Sequence, residues 1–116
     1  MPEAEALAAA NKRISNILKK ASDFQAAEPR EDLFQQTEEI ALNDKLTEMT
    51  NKVTPMLLES DYRGTLMALA SLREPVDTFF DEVMVMADDE KIKANRLSLL
   101  TRLQHLFLQV ADISHL

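Results

Sequence analysis

The sequence contains no cysteine, no tryptophan and only one glycine among its 116 residues. Without cysteine, neither a disulfide framework nor a thiolate metal site can form. A single glycine excludes a glycine-rich phosphate-binding loop, and together with only four prolines it disfavours a turn-rich sheet. No apolar run approaches the roughly 20 residues that a membrane-spanning helix requires. These scarcities favour long uninterrupted helices in a domain large enough to bury its own core.

The formal net charge is −7, but the charges are unevenly distributed. Residues 31–90 hold fifteen acidic and four basic side chains. Residues 91–116 hold one acidic and four basic side chains, and residues 1–30 carry a net charge of +1. The overall acidity argues against a nucleic-acid binder. The two basic ends could still form one positive face if the first and last helices pack side by side. Ordinary solvated helix faces explain the same pattern, so charge alone leaves both interpretations open.

Apolar residues recur at steps of three and four through most of the chain, which indicates amphipathic helices. The expected fold class is therefore all-α, a single helical bundle of about five helices spanning residues 1–116. Phe79 and Phe80 are both expected to be largely buried against the last helix. The predicted core stripes contain Leu7, Ala10, Ile14, Ile17 and Ala21; Leu42, Leu46, Met49, Val53 and Met56; Tyr62, Leu66, Leu69 and Leu72; Val76, Phe79, Phe80 and Val83; and Leu99, Leu103, Leu106, Val110 and Ile113.

Polar residues and prolines predict where these helices begin and end. Thr37, Asp61 and Asp88 precede apolar-periodic segments and suit the N-cap position, where a side-chain oxygen accepts a hydrogen bond from a free backbone N–H. Pro75 suits a first helical turn, because its fixed φ is already helical. Pro55 is expected to kink or break the second helix, since it lacks the N–H that would donate to the preceding turn.

No catalytic constellation is identifiable. His105 and His115 are ten residues apart, which is not the spacing of a helical metal pair. The acidic run at 88–90 lacks the pattern of a calcium-binding loop, and helix capping explains it better. Serines and threonines have no identifiable base partner. We therefore expect no catalytic residue, no metal ligand and no cofactor-binding residue in this chain.

Several motifs together carry a resemblance to a known family. The stretch REPVDTFFDEVMVMADD at 73–89, then NRLSLL at 95–100 and LFLQVADISHL at 106–116, resembles the C-terminal segment of the beta subunits of bacterial two-subunit glycyl-tRNA synthetases. The ANKRISNILKK segment at 10–20 is similar to the same family. The resemblance spans nearly the whole chain from about residue 10, and residues 23–60 contribute least to it.

This resemblance implies a fragment of a longer enzyme and a helical anticodon-binding domain of the DALR type. It implies tRNA(Gly) as a partner, together with the glycyl-tRNA synthetase alpha subunit and the rest of the beta subunit. The parent enzyme would be a cytoplasmic, ATP-dependent glycine–tRNA ligase with no membrane partner, whereas the fragment itself would bind RNA without catalysing a reaction.

RNA binding requires cations for phosphate and planar groups for unpaired bases. Aromatic residues are few and most lie in predicted core stripes, so stacking on bases would have to fall to arginine guanidinium groups or to an exposed Tyr62. Asn95 has an alternative interpretation, as a buried structural amide beside the helix that carries Phe79. The predicted RNA-binding residues lie on the first and last helices: Lys12, Arg13, Asn16, Lys19, Lys20, Arg96 and Arg102.

A second functional class remains open from the sequence. The acidic middle of the chain could dock another protein, or another domain of the same subunit, with no direct RNA contact. Salt dependence separates the two classes, because cation contacts to phosphate release counterions and an apolar docking surface does not.

Overall fold

A computed structural model describes the backbone of residues 2–21 and 27–114 and, within these, most side chains up to residue 109. Five α-helices follow one another in this part of the chain, with one short 3-10 turn at Glu31–Leu33 and no strand. The helices are α1 (Pro2–Lys20), α2 (Thr37–Leu58), α3 (Tyr62–Ala70), α4 (Arg73–Glu82) and α5 (Glu90–Ser114). The expected all-α bundle of about five helices is confirmed.

Helix α5 lies at the centre of the bundle and contacts α1, α2 and α3. Six consecutive residues, 95–100, are buried, so this part of α5 is covered on every side rather than along one stripe. Leu97, Leu99, Leu100 and Leu103 are completely buried there. The core stripe predicted for α5 is thus confirmed as far as Leu106, and Val110 and Ile113 lie outside the described side chains.

The predicted core of α4 is confirmed in part. Phe79 is completely buried, and Val76 and Val83 are nearly so. Phe80 is only half-buried, and its ring meets that of Phe79 edge to face with the ring centres 5.9 Å apart. Tyr62, which was expected in the stripe of α3, is 37% exposed at the beginning of that helix. Both differences arise where a helix face reaches the edge of the bundle.

Three helix boundaries differ from the sequence-based expectations. Helix α2 begins after Gln36, not at a Thr37 cap, and the Glu39 carboxylate accepts a hydrogen bond from the Gln36 N–H at 2.8 Å at this boundary. Helix α2 also runs through Pro55 to Leu58. Pro55 lies in the last turn of α2. Its missing N–H removes one hydrogen bond there, and the helix ends before a further turn would depend on that bond. At the start of α5, Asp89 rather than Asp88 accepts the N-terminal hydrogen bonds.

The expected cap of α3 is confirmed. The Asp61 carboxylate accepts a hydrogen bond from the Gly64 N–H at 2.9 Å. A Cβ atom at Gly64 would lie 2.7 Å from the Asp61 carboxyl carbon, which is closer than such atoms approach. The single glycine of the chain therefore leaves room for the capping side chain.

Candidate nucleic-acid interface

The polar residues predicted on α1 all face solvent. Leu7, Ile14 and Ala21 turn towards the core, and the opposite faces of the helix are left outside. Among the residues that the structure describes, none of the four cations on α1 forms an ion pair. Their charges are therefore available to an external anion. The exposed predicted residues of this helix are Lys12, Arg13, Asn16, Lys19 and Lys20.

Helices α1 and α5 are neighbours, as the sequence-based hypothesis of a shared basic face requires. The side chain of Gln104 on α5 donates a hydrogen bond to the Ser15 hydroxyl on α1 at 2.6 Å. The polar edge of this helix pair is therefore fixed by a direct contact.

Arg96 is not available to RNA, and its assignment as an RNA-binding residue was wrong. Only 6% of the residue is exposed, and its Nε donates to the carboxylate of Glu39 at 3.0 Å. Its Nη1 donates to the Met84 carbonyl at 2.6 Å, and Nη2 lies 3.4 Å from oxygens of Gln36 and Glu39. The guanidinium thus joins α5 to the start of α2 and to the connection between α4 and α5.

Glu39 is a structural residue in the first turn of α2. It is completely buried and accepts hydrogen bonds from the Gln35 and Gln36 N–H groups at 2.8 Å each, besides those from Arg96. Glutamine is not among the residues that mark an N-cap, so the Gln36 and Glu39 pair gave no clear sequence signal for the start of α2. No local pattern indicates that an arginine 57 residues later supplies the countercharge.

Arg102 points towards α2 rather than towards α1. Its guanidinium donates to Asn43 at 2.7 Å and to Thr47 at 3.0 Å, and the side chain is partly exposed. Gln104, two positions later, contacts α1, and two residues on a helix differ in direction by about 200°. The shared basic face of α1 and α5 is therefore not formed. A role for Arg102 in RNA binding stays a prediction, on a different side of the bundle.

Asn95 and Ser98 fix the chain that precedes α2. The carboxamide of Asn95, which is 4% exposed, accepts from the Arg30 N–H at 2.6 Å and donates to the Arg30 carbonyl at 3.0 Å. Ser98 accepts from the Ala27 N–H at 3.3 Å. The interpretation of Asn95 as a buried structural amide is confirmed, although it holds residues 27–33 rather than α4.

Arg13 is held over an aromatic ring on α4. Its guanidinium carbon lies 4.2 Å from the centre of the Phe80 ring, within the range of a cation–π interaction. The two residues line a cleft of about 450 Å³ between α1 and α4. Leu7 and Ala10 of α1, Val76 of α4 and Phe107 of α5 give this cleft an apolar lining.

Other titratable groups of the described chain are arranged as ordinary surface features. No group of three or more potential metal ligands lies among the described residues, and no helix there is long and apolar enough to cross a membrane. His105 is exposed, and His115 lies outside the described residues. The Lys45 ammonium, which contacts the Glu48 carboxylate at 2.8 Å, lowers the pKa of Glu48 below its ordinary value of 4.5 through a hydrogen bond and charge attraction.

The fold and its surface define a class of protein: an all-α domain whose outer helix presents a row of exposed cations above an acidic body. Comparison with known proteins identifies the family. The DALR anticodon binding domain family matches residues 7–113, from the first core residue of α1 almost to the end of α5. The chain therefore belongs to the DALR anticodon-binding domain family, as its sequence motifs had indicated.

Curated relatives share one name. The chain is 56% identical over 115 residues to the glycine–tRNA ligase beta subunit of Marinobacter nauticus, and 51% identical over 114 residues to that of Edwardsiella ictaluri. Each alignment covers 98% of this chain. The corresponding subunit of Aeromonas salmonicida is 55% identical over 109 residues, or 94% of the chain. The chain spans only 16–17% of the length of these relatives.

Proposed function

We propose that this chain binds the anticodon region of tRNA(Gly) as part of a glycine–tRNA ligase beta subunit. The family match over residues 7–113 carries the proposal, because it covers the helical bundle and names its binding target. The relatives named glycine–tRNA ligase beta subunit supply the amino-acid specificity. The exposed cations of α1 supply the chemistry, since phosphate recognition depends on accessible lysine and arginine.

The remaining features of the proposal concern the parent enzyme. In it, this chain would position tRNA while other parts of the beta subunit and the alpha subunit carry out ATP-dependent attachment of glycine. No cofactor is assigned to this chain. We place the enzyme in the cytoplasm without a membrane partner, which agrees with the site of protein synthesis in bacteria.

The distribution of charge gives RNA a preferred side. Residues 31–90, which form α2, α3 and α4, carry most of the acidic side chains and repel phosphate. The α1 cations lie on the faces of α1 that are turned away from its core stripe, and they attract phosphate. Phosphate is therefore attracted mainly to α1, so that electrostatics orients an RNA on this helix as well as stabilising the complex.

The first prediction is a steep salt dependence. Binding of the tRNA(Gly) anticodon-arm hairpin should weaken with a log–log slope on the order of −3, because about four α1 cations each release roughly 0.8 counterion. Fluorescence anisotropy between 50 and 200 mM salt would measure it, with a roughly hundredfold loss of affinity expected. If the chain shows no salt-dependent affinity for this hairpin at low ionic strength, the proposal is wrong.

A protein-docking function is the second candidate, and exposed apolar side chains favour it. Leu58 is 83% exposed, Met84 71% and Met67 60%. Exposed apolar side chains of this kind suit contacts with another domain of the same subunit, and such an association would respond little to salt because it releases few counterions. Loss of a domain–domain contact with retention of hairpin binding would assign these residues to docking and leave RNA recognition to α1.

A further inference from the structure

The cleft between α1 and α4 has the size and lining of a small-ligand site. Its volume of about 450 Å³ lies within the range of about 300–1,000 Å³ that is usual for pockets that hold small molecules. Its walls are apolar, and its charged lining residues are Arg13, Arg73 and Asp77. A planar, partly apolar group that is attached to an anion matches this combination.

Arg13 is already held in a stacking geometry. Its guanidinium carbon lies over the Phe80 ring, 4.2 Å from the ring centre, and the completely buried Phe79 meets the Phe80 ring edge to face from the core side. The Arg13 side chain is exposed, so the other face of the guanidinium is accessible from solvent. Because the group is ordered before a ligand arrives, stacking on it loses less conformational entropy than stacking on a free arginine.

The charges around Arg13 favour an anion beside the stacked group. Arg13 forms no ion pair with a described residue. Arg73 lies 3.9 Å from the Asp77 carboxylate, but the two side chains are 72% and 65% exposed, so solvent screens their attraction. Arg73 can therefore exchange this contact for a phosphate. Asn16, which is also exposed on α1 and lies three residues after Arg13, adjoins it on the helix surface.

We propose that one unpaired base of the bound RNA loop lies at the opening of this cleft, stacked on the outer face of the Arg13 guanidinium, with Arg73 contacting an adjacent phosphate. The inference rests on the proposed function and adds the position at which a single base is recognised. It also accounts for RNA recognition by a chain with few exposed aromatic residues, because arginine replaces the aromatic platform on which unpaired bases usually stack.

Arg13→Lys tests the stack, since lysine keeps the charge and removes the planar face. The probe is the tRNA(Gly) anticodon-arm hairpin, intact or with an abasic nucleotide at each loop position in turn. We expect Arg13→Lys to weaken binding of the intact hairpin roughly tenfold or more, the effect of losing one stacked base. One abasic hairpin should be bound equally well by the wild-type chain and by Arg13→Lys.

Two further variants separate stacking from charge and from folding. Arg63→Lys changes another exposed arginine, on α3 and outside the cleft, and should bind like the wild type. Phe80→Leu keeps the site apolar but removes the ring that supports Arg13, and it should reproduce the effect of Arg13→Lys. Thermal melting checks that each variant is folded.

The possible results distinguish the base site from the proposed function as a whole. If the wild-type chain binds the hairpin and Arg13→Lys binds it equally well, the base site is wrong and the anticodon-binding function stands. The base site would also be wrong if Arg13→Lys bound every abasic hairpin more weakly than the wild type did, because no single base would then depend on Arg13. Absence of hairpin binding by the wild-type chain would overturn both.

Discussion

Arg96 shows that a cation within a basic segment can serve the fold instead of a ligand. It was assigned to RNA because it lies in the motif NRLSLL at the basic end of the chain. In the structure its guanidinium is saturated by Glu39, Gln36 and the Met84 carbonyl. Burial of both charges is tolerated because each has a partner and further hydrogen bonds. Removal of one partner would leave the other charge buried without compensation.

Arg96→Leu should therefore destabilise the chain by about 3–5 kcal/mol, the usual penalty for an orphaned buried charge. This corresponds to a fall in Tm of roughly 10 °C or more for a domain of this size. Arg30→Leu is the matched control, because Arg30 pairs with Asp32 at 2.7 Å while both side chains remain about two-thirds exposed. Its expected cost is about 0–1 kcal/mol. Equal melting temperatures for the two variants would contradict the structural role of Arg96.

Helix starts show what local sequence can resolve at the scale of an element. Asp88 and Asp89 are adjacent acids, and either satisfies the composition rule for an N-cap. The structure selects Asp89, whose carboxylate accepts from the Lys91 N–H at 2.9 Å and the Ile92 N–H at 3.2 Å. Asn95 and Arg96 reach their partners only if α5 begins at the right residue, and this requirement sets the position of the cap.

These two aspartates allow a direct test of that assignment. Asp89→Ala should cost about 1 kcal/mol of stability, because two free N–H groups at the start of α5 lose their acceptor. Asp88→Ala should cost at most a few tenths of that value, since it removes only a favourable charge near the helix dipole. Chemical denaturation of both variants would measure the difference. A larger loss for Asp88→Ala would place the cap one residue earlier.

At the scale of the whole molecule, the important property is the separation of charge rather than its total. A net charge of −7 argues against RNA binding, yet the α1 cations lie together on an exposed surface. The contribution of α5 is smaller than its composition implies, because Arg96 is buried and Arg102 faces α2. The basic surface is thus essentially one helix wide.

Neutralising part of this surface should change the salt dependence of RNA binding. Lys19→Gln with Lys20→Gln should reduce the log–log slope for the tRNA(Gly) hairpin by roughly two and weaken binding at low salt. Asp44→Asn with Asp81→Asn changes the same number of charges on α2 and α4 and should leave the slope unaltered or strengthen binding slightly. Anisotropy titrations of both double variants against salt would measure the slopes. The same slope in both would mean that α1 is not the phosphate-binding surface.

The sequence alone was sufficient for the fold class and for the family. Steps of three and four between apolar residues identified the stripes that contain Leu42, Leu46, Leu99 and Leu103, because a helix must bury its apolar face whatever it packs against. The motifs at 73–89 and 95–100 identified the DALR family, which the comparison confirms. These features depend on residues close together in the chain.

The tertiary structure alone decided which charged and polar side chains are available. Arg13 and Arg96 both lie in the basic end segments of the chain, yet one stacks on Phe80 at the surface and the other is buried against Glu39. Periodicity specifies which face of a helix is apolar but not which neighbour covers the rest of that helix. For residues 95–100 of α5, partners from as many as 71 residues earlier in the chain cover the polar face as well. Whether these partners approach depends on how the helices pack. The neighbouring sequence therefore contains no pattern from which these contacts could be predicted.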